Sequence, residues 1–350
     1  MRLLRYMVRR LLMLVLTIIA LTLIIFAVTQ MVSPYIRATL YVTSEKQLFR
    51  IEDIIAKYGL NDPFYVQYGR WMSELLKGNL GWSQTANMPV LQAMITRIPA
   101  TVELLMFSIP ITILVGMFLG IKSAEHRDKP FDHTIRTLSF AGYSLPTFWL
   151  SMLLLVVFFV WLGWFPPHRL GNTAQLFVTS STSGFIKYTG LNTIDGLLNG
   201  QLWITLDALR HLVLPVTVLT ICNIAIIMVV SRSSMLEILK KRYIAVTTAK
   251  DLTQNEATIK RMRISALFPL STLLAFLFGS TLIGIILTET VFAINGIGRF
   301  AADAAISRGG AFDMPAVLGF ALFIGLVFIF ANLIVDIIYA YVDPRIRQGL

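Results

Sequence analysis

Charged residues withdraw from this chain in six long intervals. Leu11–Ile36, Leu104–Ile121, Thr137–His168, Leu212–Ser231, Ile264–Thr288 and Met314–Val335 contain no Asp, Glu, Lys or Arg. A helix rises about 1.5 Å per residue and a bilayer's hydrocarbon core is about 30 Å thick, so about 20 residues cross it. The shortest interval has 18 residues. Backbone N–H and C=O groups find no water in hydrocarbon, so each crossing segment is expected to be helical. Trp149, Trp161, Trp164 and Tyr339 stand toward interval ends, where amphipathic rings settle at the membrane interface.

Polar intervals set the expected direction of the chain. The first apolar stretch follows "MRLLRYMVRR", with four arginines. A cleaved signal has a shorter apolar core and a small-residue cleavage site; "SPYIR" follows here, so an uncleaved anchor is expected. With the N-terminus inside, segments 1–10, 122–136, 232–263 and the tail hold 18 of the 30 Lys and Arg. The longer segments on the other side hold 12. Lys and Arg concentrate in cytoplasmic loops, so both termini are expected in the cytoplasm.

Composition agrees. The chain is 56% hydrophobic and only 14% charged, against about 25% charged in soluble domains. Its net charge of +11 does not point to nucleic acid, because no basic run is interleaved with aromatics. The single cysteine, Cys222, cannot form an internal disulfide. The four histidines are scattered and suggest no metal site.

Three polar stretches carry local signals. "YGLNDPFYVQYGRWMSELLKGNLGWS" (58–83) combines turn residues with an aromatic, helix-like run, as amphipathic helices at a membrane surface do. The Ser/Thr/Gly/Asn-rich stretch at 171–200 reads as an irregular external loop. The basic segment 242–269 recurs in apolar residues at roughly helical spacing: Ile244, Ala249, Leu252, Ile259 and Met262. It is either a positively charged loop with incidental helix propensity or a helix that docks in a partner's groove. For docking, Tyr243, Ala245, Ala249 and Leu252 would form the apolar face. Pro269 would enter the first turn of the following span.

Motifs for energy-coupled chemistry are missing. No G-x-x-x-x-G-K-S/T loop, H-E-x-x-H or G-x-S-x-G motif occurs. Nor does a "TVGYG"-like filter. The chain is expected to be neither an enzyme nor the holder of a cofactor. A transport role would need energy from outside it.

Several stretches together resemble the permease subunits of binding-protein-dependent ABC importers, within the oligopeptide/dipeptide/nickel branch. "YIAVTTAKDL" (243–252) and "RISALFP" (263–269) are similar to that family's cytoplasmic signature loop. Tyr243, Ala249, Lys250, Leu252, Ala266, Leu267 and Pro269 match, while Asp251 replaces the family's usual glycine. Further likeness runs through "YGLNDPFYVQYGRW", "RIPATVEL", "SLPTFWL", "HLVLP", "ETVFAINGIGRF" and "NLIVDIIYAYVDPRIR". The resemblance implies an all-α, type I importer permease with six spans in a prokaryotic cytoplasmic membrane. It implies a second related permease chain, two cytoplasmic ATPase subunits and an external solute-binding protein. Peptides are the expected cargo, with oligosaccharides second and nickel least. The rivals are an ion-coupled secondary transporter or channel acting as a homodimer, and a membrane scaffold or receptor.

The expected layout is an anchor helix and external amphipathic segment over 1–96, a transmembrane core over 97–341 and a tail over 342–350. The core contains a coupling loop at 232–268. Glu289 and Asp336 are candidates for gating because ionisable groups near membrane depth are costly. Both stand near span ends, where water or headgroups are within reach. Gly296, Gly298 and Arg299 form a turn suited to a partner contact. Gly116, Gly120, Gly279, Gly284, Gly319 and Gly325 are expected at close helix contacts.

Overall fold

The computed structural model describes residues 2–239, 276–306 and 312–342, with side chains over 7–237, 276–306 and 312–334. The chain divides into two compact units, Met1–Glu103 with Pro167–Leu209 and Phe292–Leu350, and Leu104–Pro166 with Arg210–Val291.

The first unit begins with α1 (Arg2–Thr29), followed by the short helices α2 (Pro34–Ala38), α3 (Ile51–Tyr58) and α4 (Phe64–Leu76). Of these, α4 lies within the aromatic stretch 58–83, where a helix-like run is expected. Phe26 of α1 packs against Phe64, Tyr68 and Trp71 of α4, with ring centroids 5.3–5.6 Å apart. Gly59 closes α3 in the left-handed region at φ +58, a conformation that costs glycine little. A two-residue hairpin, β1 (Trp82–Ser83) and β2 (Met88–Pro89), then leads into α5 (Val90–Glu125).

The second unit continues α5 and adds α6 (Pro130–Ser144) and α7 (Thr147–Leu155), whose last turns widen to a π-helix at Val156–Trp161. The charge-free run 137–168 reads as one span, but the structure bends it by 101° between α6 and α7. Pro146 has no N–H and disfavours helical geometry in the residue before it. Leu145 accordingly adopts φ −76, ψ 133.

Helices α8 (Asn172–Thr179) and α9 (Asn192–Leu198) belong to the first unit. They correct the expectation of an irregular loop over 171–200. Three bonds organise this stretch: Asp195 accepts from the Thr189 N–H at 2.8 Å, the Thr189 hydroxyl at 2.7 Å and the Gly190 N–H at 2.9 Å. Next come α10 (Leu202–Leu239), α11 (Phe276–Val291), α12 (Ile297–Ile306) and α13 (Met314–Val342).

Among the described residues, four helices are long and apolar enough to span a membrane: those containing Met7–Thr29, Val90–Glu125, Leu202–Glu237 and Met314–Ile334. The bent pair makes a fifth. The expected fifth interval, 264–288, begins outside the described residues and continues as α11. In α5 the charge-free run Leu104–Ile121 is bounded by Glu103 and Lys122, so 18 of the helix's 36 residues are uncharged core and the rest extends it.

Small residues set the close contacts within each unit. A Cβ on Gly325 would lie 2.5 Å from Leu21, where α13 meets α1. A Cβ on Gly120 would lie 2.6 Å from the Met228 carbonyl oxygen and 2.7 Å from Ser231 Cβ, so α5 and α10 touch nearly backbone to backbone. Backbone cannot yield as a side-chain tip can. Gly120→Val is expected to lower stability by about 1–3 kcal/mol, the usual cost of overpacking. Gly69, with nothing within 4 Å of its would-be Cβ, is the control. Gly69→Ala should hold or slightly raise the unfolding temperature; equal thermal unfolding of both variants would contradict this reading.

Candidate functional site

The Gly120 contact brings the end of α5 against α10, and a buried ion pair forms there. Asp132, in the first turn of α6, is fully buried. Arg232 of α10 donates from Nε to its Oδ1 at 2.8 Å and from Nη2 to Oδ2 at 2.6 Å. The Asp128 N–H donates to Oδ2 at 3.1 Å, and the Ser123 hydroxyl donates to Oδ1. The guanidinium fork matches the carboxylate geometry in a bidentate pair. The arrangement ties the α5–α6 turn to α10 a few residues before the segment that begins at 240.

A second buried acid organises the first unit. Glu103 of α5 is 1% exposed. Its Oε1 accepts from the Thr193 N–H at 2.8 Å and the Thr193 hydroxyl at 2.9 Å. Its Oε2 accepts from Arg169 Nη2 at 2.6 Å, and the same nitrogen donates to the Gly190 carbonyl at 2.9 Å. One carboxylate thus fastens the 169–193 stretch to α5.

The residues named from sequence fall in different places. Tyr243, Ala249, Lys250, Asp251, Leu252, Ala266, Leu267 and Pro269 lie outside the described residues. Asp336 belongs to α13, but its side chain is outside the described set. Glu289 near the end of α11 is completely buried, not turned to water or headgroups as its position near a span end suggested. Gly296 and Gly298 are buried at the start of α12, whose Ile297 N–H donates to Thr101 Oγ1 at 2.9 Å. Arg299 donates to Asn295 Oδ1 at 3.0 Å and approaches Asp303 at 3.8 Å. Glu289 and the Gly296–Arg299 turn fall in separate units.

Asp132, Arg232, Glu103 and Arg169 were not singled out from sequence. Charge-free intervals mark spans, whereas Glu103, Arg169 and Arg232 bound them and Asp132 lies in the polar segment between two. Their partners are 100 and 66 positions apart, so no local spacing joins them.

Comparison with known proteins decides the family. Residues 112–348 match the family described as binding-protein-dependent transport system inner membrane component. Residues 3–114 match its N-terminal companion family. The chain belongs to this family.

The permease is 34% identical over 344 residues to the dipeptide transport system permease protein DppB of Alkalihalophilus pseudofirmus, covering 98% of this chain and 99% of the relative. It is 33% identical over 347 residues to the Escherichia coli dipeptide transport system permease protein DppB, covering 99% of each. It is 36% identical over 296 residues to a Pseudomonas aeruginosa di/tripeptide transport system permease protein, covering 85% of this chain and 84% of that one. The permease is therefore an all-α, multi-pass transport component of the inner membrane, as the apolar intervals and the resemblance predicted.

Proposed function

We propose that this permease imports short peptides of the di- and tripeptide class, delivered by an external solute-binding protein. It works with a second, related permease chain and two cytoplasmic ATPase subunits that supply the energy. Likeness along almost the whole chain to relatives named for dipeptide and di/tripeptide transport carries the reading. It favours peptides over oligosaccharides and nickel.

The structure supports a mechanical role for the segment after α10. A bidentate, buried Asp132–Arg232 pair resists being pulled apart, because separating it would leave charges in a poorly solvated place. Force applied to residues 243–269 would enter α10 beside that clamp. The apolar positions Tyr243, Ala249 and Leu252 suit an ATPase groove, with Lys250 at its rim. Alternating access then follows from displacement of the spans, without chemistry in this chain.

The test is reconstitution of the four kinds of subunit in vesicles, with labelled dipeptide outside and ATP supplied to the ATPase side. Uptake should require ATP and the binding protein. Uptake by this chain alone down an ion gradient, or of oligosaccharide but not peptide, would overturn the reading. Replacing Lys250 and Leu252 together by Ser is expected to reduce ATPase co-purification at least about tenfold, the effect of losing one anchoring contact of about 1.4 kcal/mol. The helical circular dichroism signal should remain. Undiminished co-purification and uptake would remove the docking role.

A further inference from the structure

The first unit contains an open cavity of about 700 Å³, a size that suits a small ligand. Arg97, Arg169 and Lys187 line it, together with the amide side chains of Asn172, Gln175 and Asn192. None of the described residues lining it is acidic. The nearby carboxylates are already engaged. Glu103 holds Arg169, Asp195 accepts from the Gly190 N–H, and Asp303 stands beside Arg299 and also acts on Arg97.

The two arginines are fixed rather than splayed, whereas Lys187 is exposed. Arg97 lies over the Phe300 ring, 4.6 Å from its centroid, while Nη1 donates to the Ala93 carbonyl at 2.8 Å. Arg169 is held by Glu103 and the Gly190 carbonyl, and its buried Nε has no hydrogen-bond partner. Two lining residues, His168 and Ala293, have positive φ, +73 and +54. The His168 N–H donates to the neighbouring Phe292 carbonyl at 2.8 Å and holds that contour. Non-glycine residues adopt such backbone at a cost and gather at functional sites.

We infer that this cavity is a carboxylate-recognition site of the permease itself, which receives the free C-terminal carboxylate of a short peptide. The inference rests on the peptide reading above. Arg97 and Lys187 supply the positive charge. The amide side chains of Asn172, Gln175 and Asn192 offer both donors and acceptors, as a peptide bond requires. A carboxylate placed beside these cations makes charge-assisted hydrogen bonds, the stronger kind.

The test uses the assembled transporter, first without its binding protein. Equilibrium binding of labelled alanyl-alanine is compared with that of alanyl-alanine amide, which lacks the carboxylate charge. The acid should bind at least about tenfold more tightly, the effect expected of hydrogen bonds to a charged group. Lys187→Gln should weaken acid binding about tenfold and narrow the acid-to-amide ratio, and Lys187→Arg should restore part of both. Lys46→Gln, a change at an exposed lysine outside the cavity, should change neither. Co-purification of the Lys187→Gln chain with its partners verifies assembly. Equal binding of acid and amide, no binding of either, or an unaltered ratio in Lys187→Gln overturns the inference. Loss of affinity for the empty binding protein in Lys187→Gln, with the ratio unaltered, also overturns it and assigns the cavity to a carboxylate of that protein. Wild-type vesicles that fail to import peptide at all would instead remove the functional reading beneath it.

Discussion

Asp132→Ala should destabilise the permease by about 3–5 kcal/mol, the cost of removing one partner of a buried ion pair. Arg232 would lose both of its bonds to this carboxylate, at a side chain only 17% exposed. Arg232→Met should cost at least as much, because Asp132 is completely buried and would keep only the Ser123 hydroxyl and the Asp128 N–H. Replacing both, Asp132→Leu with Arg232→Met, should cost less than the sum of the single changes, since neither charge is then stranded. A double-mutant cycle by thermal unfolding of purified protein measures the difference. Strictly additive losses would show that the pair is not a coupled unit. Peptide import should fall most in the two single variants, where α10 is no longer tied beside the segment that would receive force.

Glu103→Ala should have the second largest effect, about 3 kcal/mol, for the same stranded-charge reason. Thr193 loses the acceptor for both its N–H and its hydroxyl, while Arg169 keeps only the Gly190 carbonyl of its two described acceptors. Glu103→Gln should be milder. Its amide oxygen can still accept from Thr193, but it no longer offers a negative charge to Arg169. The predicted signature is local. Limited proteolysis between 180 and 192 should accelerate in Glu103→Ala and much less in Glu103→Gln. Unchanged cleavage in both would mean that the stretch is held by other contacts.

The spans were legible because one physical cost, burying charge in hydrocarbon, writes itself as uninterrupted apolar sequence. That signal says where charge is absent and nothing about how a run bends. Pro146 lies within such a run, and its effect on Leu145 could have been read from the X-Pro pair, yet apolarity across 137–168 hid it. The 171–200 stretch looked like loop because Ser, Thr, Asn and Gly dominate it. Its order comes from Asp195 turned back on Thr189 and Gly190, and from Glu103, 90 residues away in sequence from Thr193. Pairings at that distance have no periodicity. The family itself was legible because several short motifs stand in the right order, each weak alone.

One feature of α5 reaches beyond the protein to its lipids. The uncharged run Leu104–Ile121 would span about 27 Å as helix, slightly less than the usual hydrocarbon thickness of about 30 Å. Glu103 and Lys122 sit at its two limits, and Glu103 is committed to Arg169. Longer acyl chains would draw those charges toward oil or force the bilayer to pinch around this helix. Acyl-chain length would thereby bear on the end of α5 whose carboxylate secures the 169–193 stretch.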